Sequence, residues 1–145
     1  MATKSSVEQL NSFLRGEMSA VETYQMALDK VDDISTARDE LLVNLKSHQD
    51  RVMMLQEAII AAGGEPASGS GPWGVFAKVV EGGAKVLGKK AAIAALEEGE
   101  DHGLKDYKAD ADELEPQARM LVETRLRPAQ QQTHDRLSAL KHRMD

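Results

Sequence analysis

Cysteine is absent from this chain of 145 residues. The absence excludes disulfides, zinc sites built on thiolates and cysteine nucleophiles. A metal ion could therefore be held only by histidine and carboxylate, for which the chain offers four histidines and 24 acidic residues. Because a chain of this length buries roughly 68–70% of its unfolded surface, it can form one core without covalent cross-links. We expect a single domain over residues 1–145.

Aromatic residues are scarce as well, at 3%, and the net charge of −6 gives a pI near 5.2. Single-stranded nucleic acid is usually bound on aromatic platforms and basic surfaces, so we expect no nucleic-acid partner. The longest apolar runs fall short of the roughly 18 residues of a membrane span, and the first residues form no apolar signal segment. These absences predict a cytoplasmic protein without a transmembrane segment. Met26 and Ile60 could contribute to a homo-oligomer, and a protein partner is not identified by the sequence.

Apolar residues recur at spacings of three and four in four stretches of the chain. This periodicity predicts helices over about residues 6–31, 36–62, 90–114 and 117–141. Gly63-Gly64 is a stop signal for the second helix, and Pro128 is expected to kink or split the fourth. No stretch alternates as a strand would. The sequence therefore predicts an all-α fold, a four-helix bundle.

The connection between the second and third helices, about residues 63–89, is long for a two-helix turn. Its length suits a crossover along the whole bundle, as in bundles with one long connection. Val75, Phe76, Val79 and Val80 predict a short amphipathic helix within it, broken at Gly82-Gly83. The part over 73–90 could lie on a membrane surface or a partner. We favour a flap that covers one side or end of the bundle.

Each predicted helix carries a polar residue where its periodicity requires a core residue. Glu17 and His48 are equally distant from the turn at 32–33, and Glu97 and His134 are equally distant from the turn at 115–116. Each antiparallel hairpin therefore places a carboxylate at the level of an imidazole. Buried carboxylates are costly unless they are paired, metal-bound or neutralised. Two carboxylates and two histidines would suit zinc, iron or manganese.

The chain also resembles a known superfamily in four stretches that occur in a characteristic order. They are LNSFLRGEMSAVETY (10–24), GGEP (63–66), LEEGEDHGLKDY (96–107) and HDRL (134–137). Together with the long connection, they resemble the ferritin-like four-helix bundles. More narrowly, they resemble a bacterial family of short stand-alone ferritin-like bundles of unknown function.

In di-metal members of that superfamily, two helices each give a Glu and the other two each give Glu-x-x-His. Glu17 matches the first Glu. The candidates on the third helix are Glu97, Glu98 and Glu100. The second helix has His48 and Arg51 in place of Glu and His, and the fourth has Gln131 and His134. The resemblance therefore implies a mononuclear or degenerate site rather than an oxygen-activating di-iron centre.

Two functional hypotheses follow. In the first, the protein binds a metal ion in the bundle core through Glu17, His48, His134 and one of the three third-helix glutamates. In the second, the protein is a non-catalytic scaffold or interaction protein, and Arg51 neutralises Glu17 without metal. An oxidase or peroxidase with a di-metal centre is the least favoured class.

Overall fold

A computed structural model describes residues 4–30, 35–71, 89–109 and 114–144. Two long helices, α1 (Lys4–Lys30) and α2 (Ser35–Ala61), form the first antiparallel hairpin. In the second hairpin, α3 (Lys89–Ala109) packs against a continuous rod formed by α4 (Pro116–Leu121), a π-helical segment (Val122–Leu126) and α5 (Arg127–Met144). These ranges contain no strand. The predicted all-α class with four helices is confirmed for the part of the chain that the structure describes.

The core consists of two apolar clusters at opposite ends of the bundle. The upper cluster lies where α1 ends and α2 begins, and includes Tyr24, Leu28, Leu41, Ile93, Leu96, Leu137 and Leu140. The lower cluster includes Leu10, Phe13, Leu14, Leu55, Ile59, Tyr107, Leu114, Val122 and Leu126. Each cluster takes residues from both hairpins, so burial of apolar surface at either end holds the hairpins together.

The second helix, α2, ends at the lower cluster, whereas α3 begins at the upper one. The residues that follow α2, as far as position 71, run beside α1. The Asn11 amide donates to the Glu65 carbonyl (3.0 Å) and accepts from the Ala67 N–H (2.7 Å). Ser70 donates to Glu22 at 3.1 Å. The predicted amphipathic helix and most of the 73–90 flap lie at positions 72–88, outside the described residues.

Gly63-Gly64 ends α2 as the sequence predicts, through a Schellman arrangement. The Gly63 N–H donates to the Ile60 carbonyl (3.0 Å) and the Gly64 N–H donates to the Ile59 carbonyl (2.9 Å). Gly63 has a φ of 84°, in the left-handed region. A Cβ on Gly64 would lie 2.5 Å from Val7 Cγ1, so this glycine also allows the chain to approach α1 closely.

The rod of the second hairpin widens before Pro128. The Arg127 N–H donates to the Val122 carbonyl, five residues back, which is the π-helical pattern. In the first part of the rod, every fourth residue is buried: Ala118, Val122, Leu126 and Gln130. In a regular α-helix of about 3.6 residues per turn, each residue at that spacing would be rotated by roughly 40° about the helix axis relative to the one before it. The wider turn reduces this rotation and keeps these residues on one face.

Replacing Gly63 by alanine is expected to lower the free energy of unfolding by about 1 kcal/mol, because an L-residue is strained at this positive φ. Urea unfolding followed by circular dichroism measures the change. Gly69→Ala is the matched control, since Gly69 is exposed and an added Cβ would meet nothing within 4 Å. Equal effects of the two substitutions would contradict the assignment of strain to Gly63.

Candidate functional site: the polar layer of the bundle core

Polar side chains from α1, α2, α3 and α5 meet between the two apolar clusters. This polar layer consists of Glu17, Tyr24, Asn44, His48, Arg51, Glu100, Tyr107, Gln130 and Thr133. Each of these residues is at most 3% exposed. Among the described residues, no buried side-chain nitrogen or oxygen is without a hydrogen-bond partner. The layer is therefore a closed network, as burial of so many polar groups requires.

His48 stands at the centre of the layer, between the two buried carboxylates. Its Nδ1 lies 2.6 Å from Glu17 Oε1, and its Nε2 lies 2.8 Å from Glu100 Oε2. The ring thus links α1 to α3 through α2. Both nitrogens act as donors when the imidazole is protonated, and each carboxylate then receives a charge-assisted hydrogen bond.

Two tyrosines extend this chain symmetrically. Tyr24 of α1 donates to Glu100 of α3 at 2.5 Å, and Tyr107 of α3 donates to Glu17 of α1 at 2.5 Å. The hydrogen-bonded order is therefore Tyr24, Glu100, His48, Glu17, Tyr107. In each of the two helices the tyrosine follows the glutamate by seven residues, so α1 and α3 contribute equivalent pairs.

Arg51 lies one turn after His48 and is completely buried. Its Nη1 donates to Glu17 Oε2 (3.3 Å) and to the Gln130 side-chain oxygen, and its Nη2 donates to the Thr133 hydroxyl (3.1 Å). Its Nε and Nη2 also donate to the backbone and side chain of Ser47. A guanidinium has five N–H donors in a fixed plane, which suits this connection of α2 to both α1 and α5.

The second oxygen of Glu100 is held by α5. Gln130 Nε2 donates to Glu100 Oε1 at 2.8 Å, and the Thr133 hydroxyl donates to the same oxygen at 2.7 Å. Gly103 of α3 leaves room for this contact, because a Cβ at that position would lie only 2.8 Å from Gln130 Nε2. Asn44 completes the layer by donating to the Tyr24 hydroxyl and to the Thr133 carbonyl, both at 3.0 Å.

The electrostatics of the layer favour two negative and two positive charges. Burial alone would raise the pKa of Glu17, but Arg51, His48 and Tyr107 lower it to about 2. Burial would likewise raise the pKa of Glu100, yet its contact with His48 contributes to a net decrease. The pKa of His48 is raised, since both carboxylates outweigh the opposing effects of burial and Arg51. These shifts favour ionised carboxylates and a protonated imidazole, a state in which the charges of the layer balance.

A metal ion does not fit the donor set as it is arranged. The two ring nitrogens of His48 point in opposite directions, each toward a different carboxylate, so the three groups share no common coordination point. Each oxygen of Glu17 and Glu100 already accepts at least one hydrogen bond. Within the described ranges, no group of three or more histidine, aspartate or glutamate side chains could hold a metal ion.

The structure brings together three of the six residues predicted as metal ligands, namely Glu17, His48 and Glu100. The other three lie elsewhere. Glu97 accepts from Lys141 at 3.0 Å, and Glu98 is exposed on the outside of α3. His134 lies at the bundle surface, between Asp101 and Asp135, rather than in the inner ring. Of the three glutamates on the third helix, Glu100 is the one that points inward.

Sequence reasoning missed the tyrosines and the α5 side of the layer, although the sequence contains a signal for each. Two Glu-x₆-Tyr pairs, 17–24 and 100–107, mark α1 and α3. On the fourth helix, the seam that contains Leu126 and Leu137 passes through Gln130 and Thr133, at spacings of four and three. The residue predicted from the sequence on this helix is the neighbouring His134, because histidine is a common metal ligand and glutamine and threonine are not.

Little free space adjoins the layer. A cavity of about 60 Å³ lies between α1 and α3, with the rings of Tyr24 and Tyr107 and small residues such as Gly16, Ala20 and Gly99 in its lining. Pockets for organic ligands are typically about 300–1,000 Å³. The cavity therefore has room for only a few water molecules, and the described residues enclose no substrate-sized space beside the polar groups.

Comparisons with known proteins found no match to a protein family, to a curated protein or to a solved structure. In the described part of the chain, no helix has both the length and the apolar character needed to cross a membrane.

The coupled charges predict a maximum of stability between about pH 4.5 and pH 6.5. The pKa of Glu17 falls on folding from 4.5 to about 2, so its contribution of roughly 3 kcal/mol is lost as the pH drops below 4.5. The pKa of His48 rises on folding, so its contribution is complete below 6.5 and is lost as the pH rises above that value. Urea unfolding at a series of pH values measures both limbs.

The alkaline limb tests the role of His48. In His48→Gln the decrease in stability above pH 6.5 should become smaller, because the buried imidazole is gone. His134 remains, and against the effect of burial its hydrogen bonds to Asp135 and Asp101 also raise its pKa. His142→Gln, which replaces an exposed histidine, is the control substitution. An unaltered alkaline limb in His48→Gln would show that another group causes it.

Proposed function

We propose that this protein is a ferritin-like helical bundle that acts as a non-catalytic scaffold or interaction protein, with a polar core that works without metal. The observation that carries the proposal is the buried Arg51 guanidinium, which contacts Glu17, Gln130 and Thr133. Together with the His48 imidazolium, it supplies two positive charges to two buried carboxylates. In a di-metal bundle, metal ions would supply that positive charge.

The ferritin-like relationship is supported by topology and by the place of the polar layer. Two antiparallel hairpins are arranged so that α2 ends and α3 begins at opposite ends of the bundle, and the carboxylates of α1 and α3 lie midway along it. The substitutions that separate the chain from a di-metal set, His48 and Arg51 on the second helix, are the residues that neutralise the carboxylates. On this proposal, the layer is a degenerate metal centre that now serves stability and helix register.

The scaffold function is further supported, among the described residues, by the lack of substrate-sized space beside the layer and by its internal hydrogen bonds, since every buried side-chain nitrogen and oxygen has a partner. To contact a substrate, such a group would have to exchange an internal hydrogen bond. Recognition would therefore occur on the outer faces of the bundle.

Metal binding is the competing function, because two carboxylates and an imidazole do meet in the core. A metal ion would require rotation of the His48 ring away from one carboxylate and displacement of Arg51. The two functions therefore make opposite predictions for Arg51.

Arg51→Ala is expected to reduce the free energy of unfolding by about 3–5 kcal/mol, because it leaves Glu17 buried with one cation fewer. Urea unfolding at pH 6 measures the loss. Adding Glu17→Gln to Arg51→Ala should recover part of it, since the unpaired charge is then removed. Arg143→Ala is the control, because Arg143 is half exposed and forms a surface ion pair with Glu40, worth about 0–1 kcal/mol. A mild effect of Arg51→Ala would favour the metal function.

Protein purified without chelators, after growth with added iron, zinc and manganese, is expected to contain far less than one equivalent of metal per chain. Elemental analysis measures the content, and thermal unfolding with each added metal tests for a shift in Tm. A stoichiometric metal that is lost in the His48→Ala, His134→Ala double variant would contradict the proposal and establish a metal site. Oxygen-dependent iron oxidation by the purified protein would support the oxidase class.

A further inference from the structure

The outer face of α2 carries most of the apolar side chains that the bundle leaves exposed. Of the five large apolar residues exposed in the described ranges, four are on this helix: Leu42, Val43, Met53 and Ile60. Met53 is 53% exposed and Ile60 is 63% exposed. A helix at the surface of a bundle normally has one apolar stripe, directed at the core. In α2 three of the four, Leu42, Met53 and Ile60, lie on one outward face, and Val43 lies to the side of it.

The outward face of α2 has the spacing of a helix-packing seam. Its positions follow one another by four and three residues alternately, and five of the six are exposed: Leu42, Lys46, Gln49, Met53, Gln56 and Ile60. Apolar residues at this repeat bring two helices into lengthwise contact, and Leu42, Met53 and Ile60 supply three of the six positions of this outer seam. The buried positions of α2, among them Leu41, His48 and Leu55, lie on the opposite face, so the outer seam is free of the core.

We propose that the outer seam of α2 is the interface between two copies of this chain, packed antiparallel about a two-fold axis near Arg51. In that arrangement residue i lies opposite residue 102 − i of the second copy, so Leu42 meets Ile60 at both ends. A two-fold interface of this kind is self-complementary and closed. The polar layer takes no part in it, so the inference is independent of whether the core binds metal.

Charge complementarity favours a second copy of this chain as the partner, and it favours an antiparallel over a parallel orientation of the two α2 helices. Lys46, which now pairs with Asp50 of its own helix at 2.6 Å, would lie beside Glu57 of the second copy, and Glu57 beside the second copy's Lys46. A parallel pair would instead place lysine against lysine and glutamate against glutamate. Like charges across an interface disfavour association, whereas the antiparallel pair gains two opposite-charge contacts.

Sedimentation velocity of the full-length protein over a range of concentrations tests the interface. We expect a monomer–dimer equilibrium that Ile60→Glu weakens by about tenfold or more in Kd. Met120→Glu is the matched control, since Met120 is 66% exposed but lies on α4, and it should leave the Kd unchanged. Circular dichroism checks that both variants are folded. A wild-type protein that is monomeric at all concentrations, or a dimer that Ile60→Glu does not weaken, would overturn the proposal.

A charge exchange tests the antiparallel direction. Lys46→Glu and Glu57→Lys should each weaken the dimer, because each creates like-charge contacts across the interface. The double variant should restore the wild-type Kd, since both contacts are then opposite in charge again. Failure of the double variant to recover affinity would overturn the antiparallel arrangement.

Discussion

Two ionised carboxylates enclosed in an apolar bundle must be matched by two cations in direct contact, and the core is organised around that requirement. Glu17 and Glu100 share the His48 imidazolium between them, while Arg51 neutralises Glu17 from the same helix. Removing any one member leaves an uncompensated charge in a medium of low polarity, which costs far more than the hydrogen bond itself. The partners come from all sides of the bundle, so satisfying the charges also fixes how the helices stand against one another.

The layer thus gives the fold specificity that apolar contacts alone would not. In apolar seams such as those above and below it, residues of similar size can replace one another at little cost, so apolar contacts alone specify register weakly. Hydrogen bonds between Tyr24 and Glu100, and between Tyr107 and Glu17, exist in a single register of α1 against α3. Burial drives the helices together, and the polar contacts select one of the alignments that burial permits.

The sequence predicts the class of fold and the position of the polar layer along the bundle axis well. It does not predict which face of each helix contributes to the layer. Equal distance from a turn places Glu17 level with His48, and the structure joins them at 2.6 Å. The same arithmetic in the second hairpin gives a centre near Glu115, and about this centre the structure places Gln130 and Thr133 against Glu100. His134, predicted at that level, contacts Asp101 instead. Distance from a turn determines position along the bundle axis, whereas rotation about a helix axis depends on packing and on local irregularities of the backbone. The role of Arg51 is predicted only as an alternative, because a guanidinium and a metal ion satisfy the same carboxylate.

The π-helical segment at 122–126 shows how such an irregularity decides chemistry at a distance. It contains one residue more than a regular α-helical path would need to reach the same face of α5. If these residues followed a regular path, the inward positions further along would be occupied by Ala129 and Gln132 in place of Gln130 and Thr133. Arg51 would then face a methyl group where it now has an amide oxygen. The π-helical segment thus determines which residues of α5 face the core, although it precedes Gln130 and Thr133 in the chain and contributes no side chain to the polar layer.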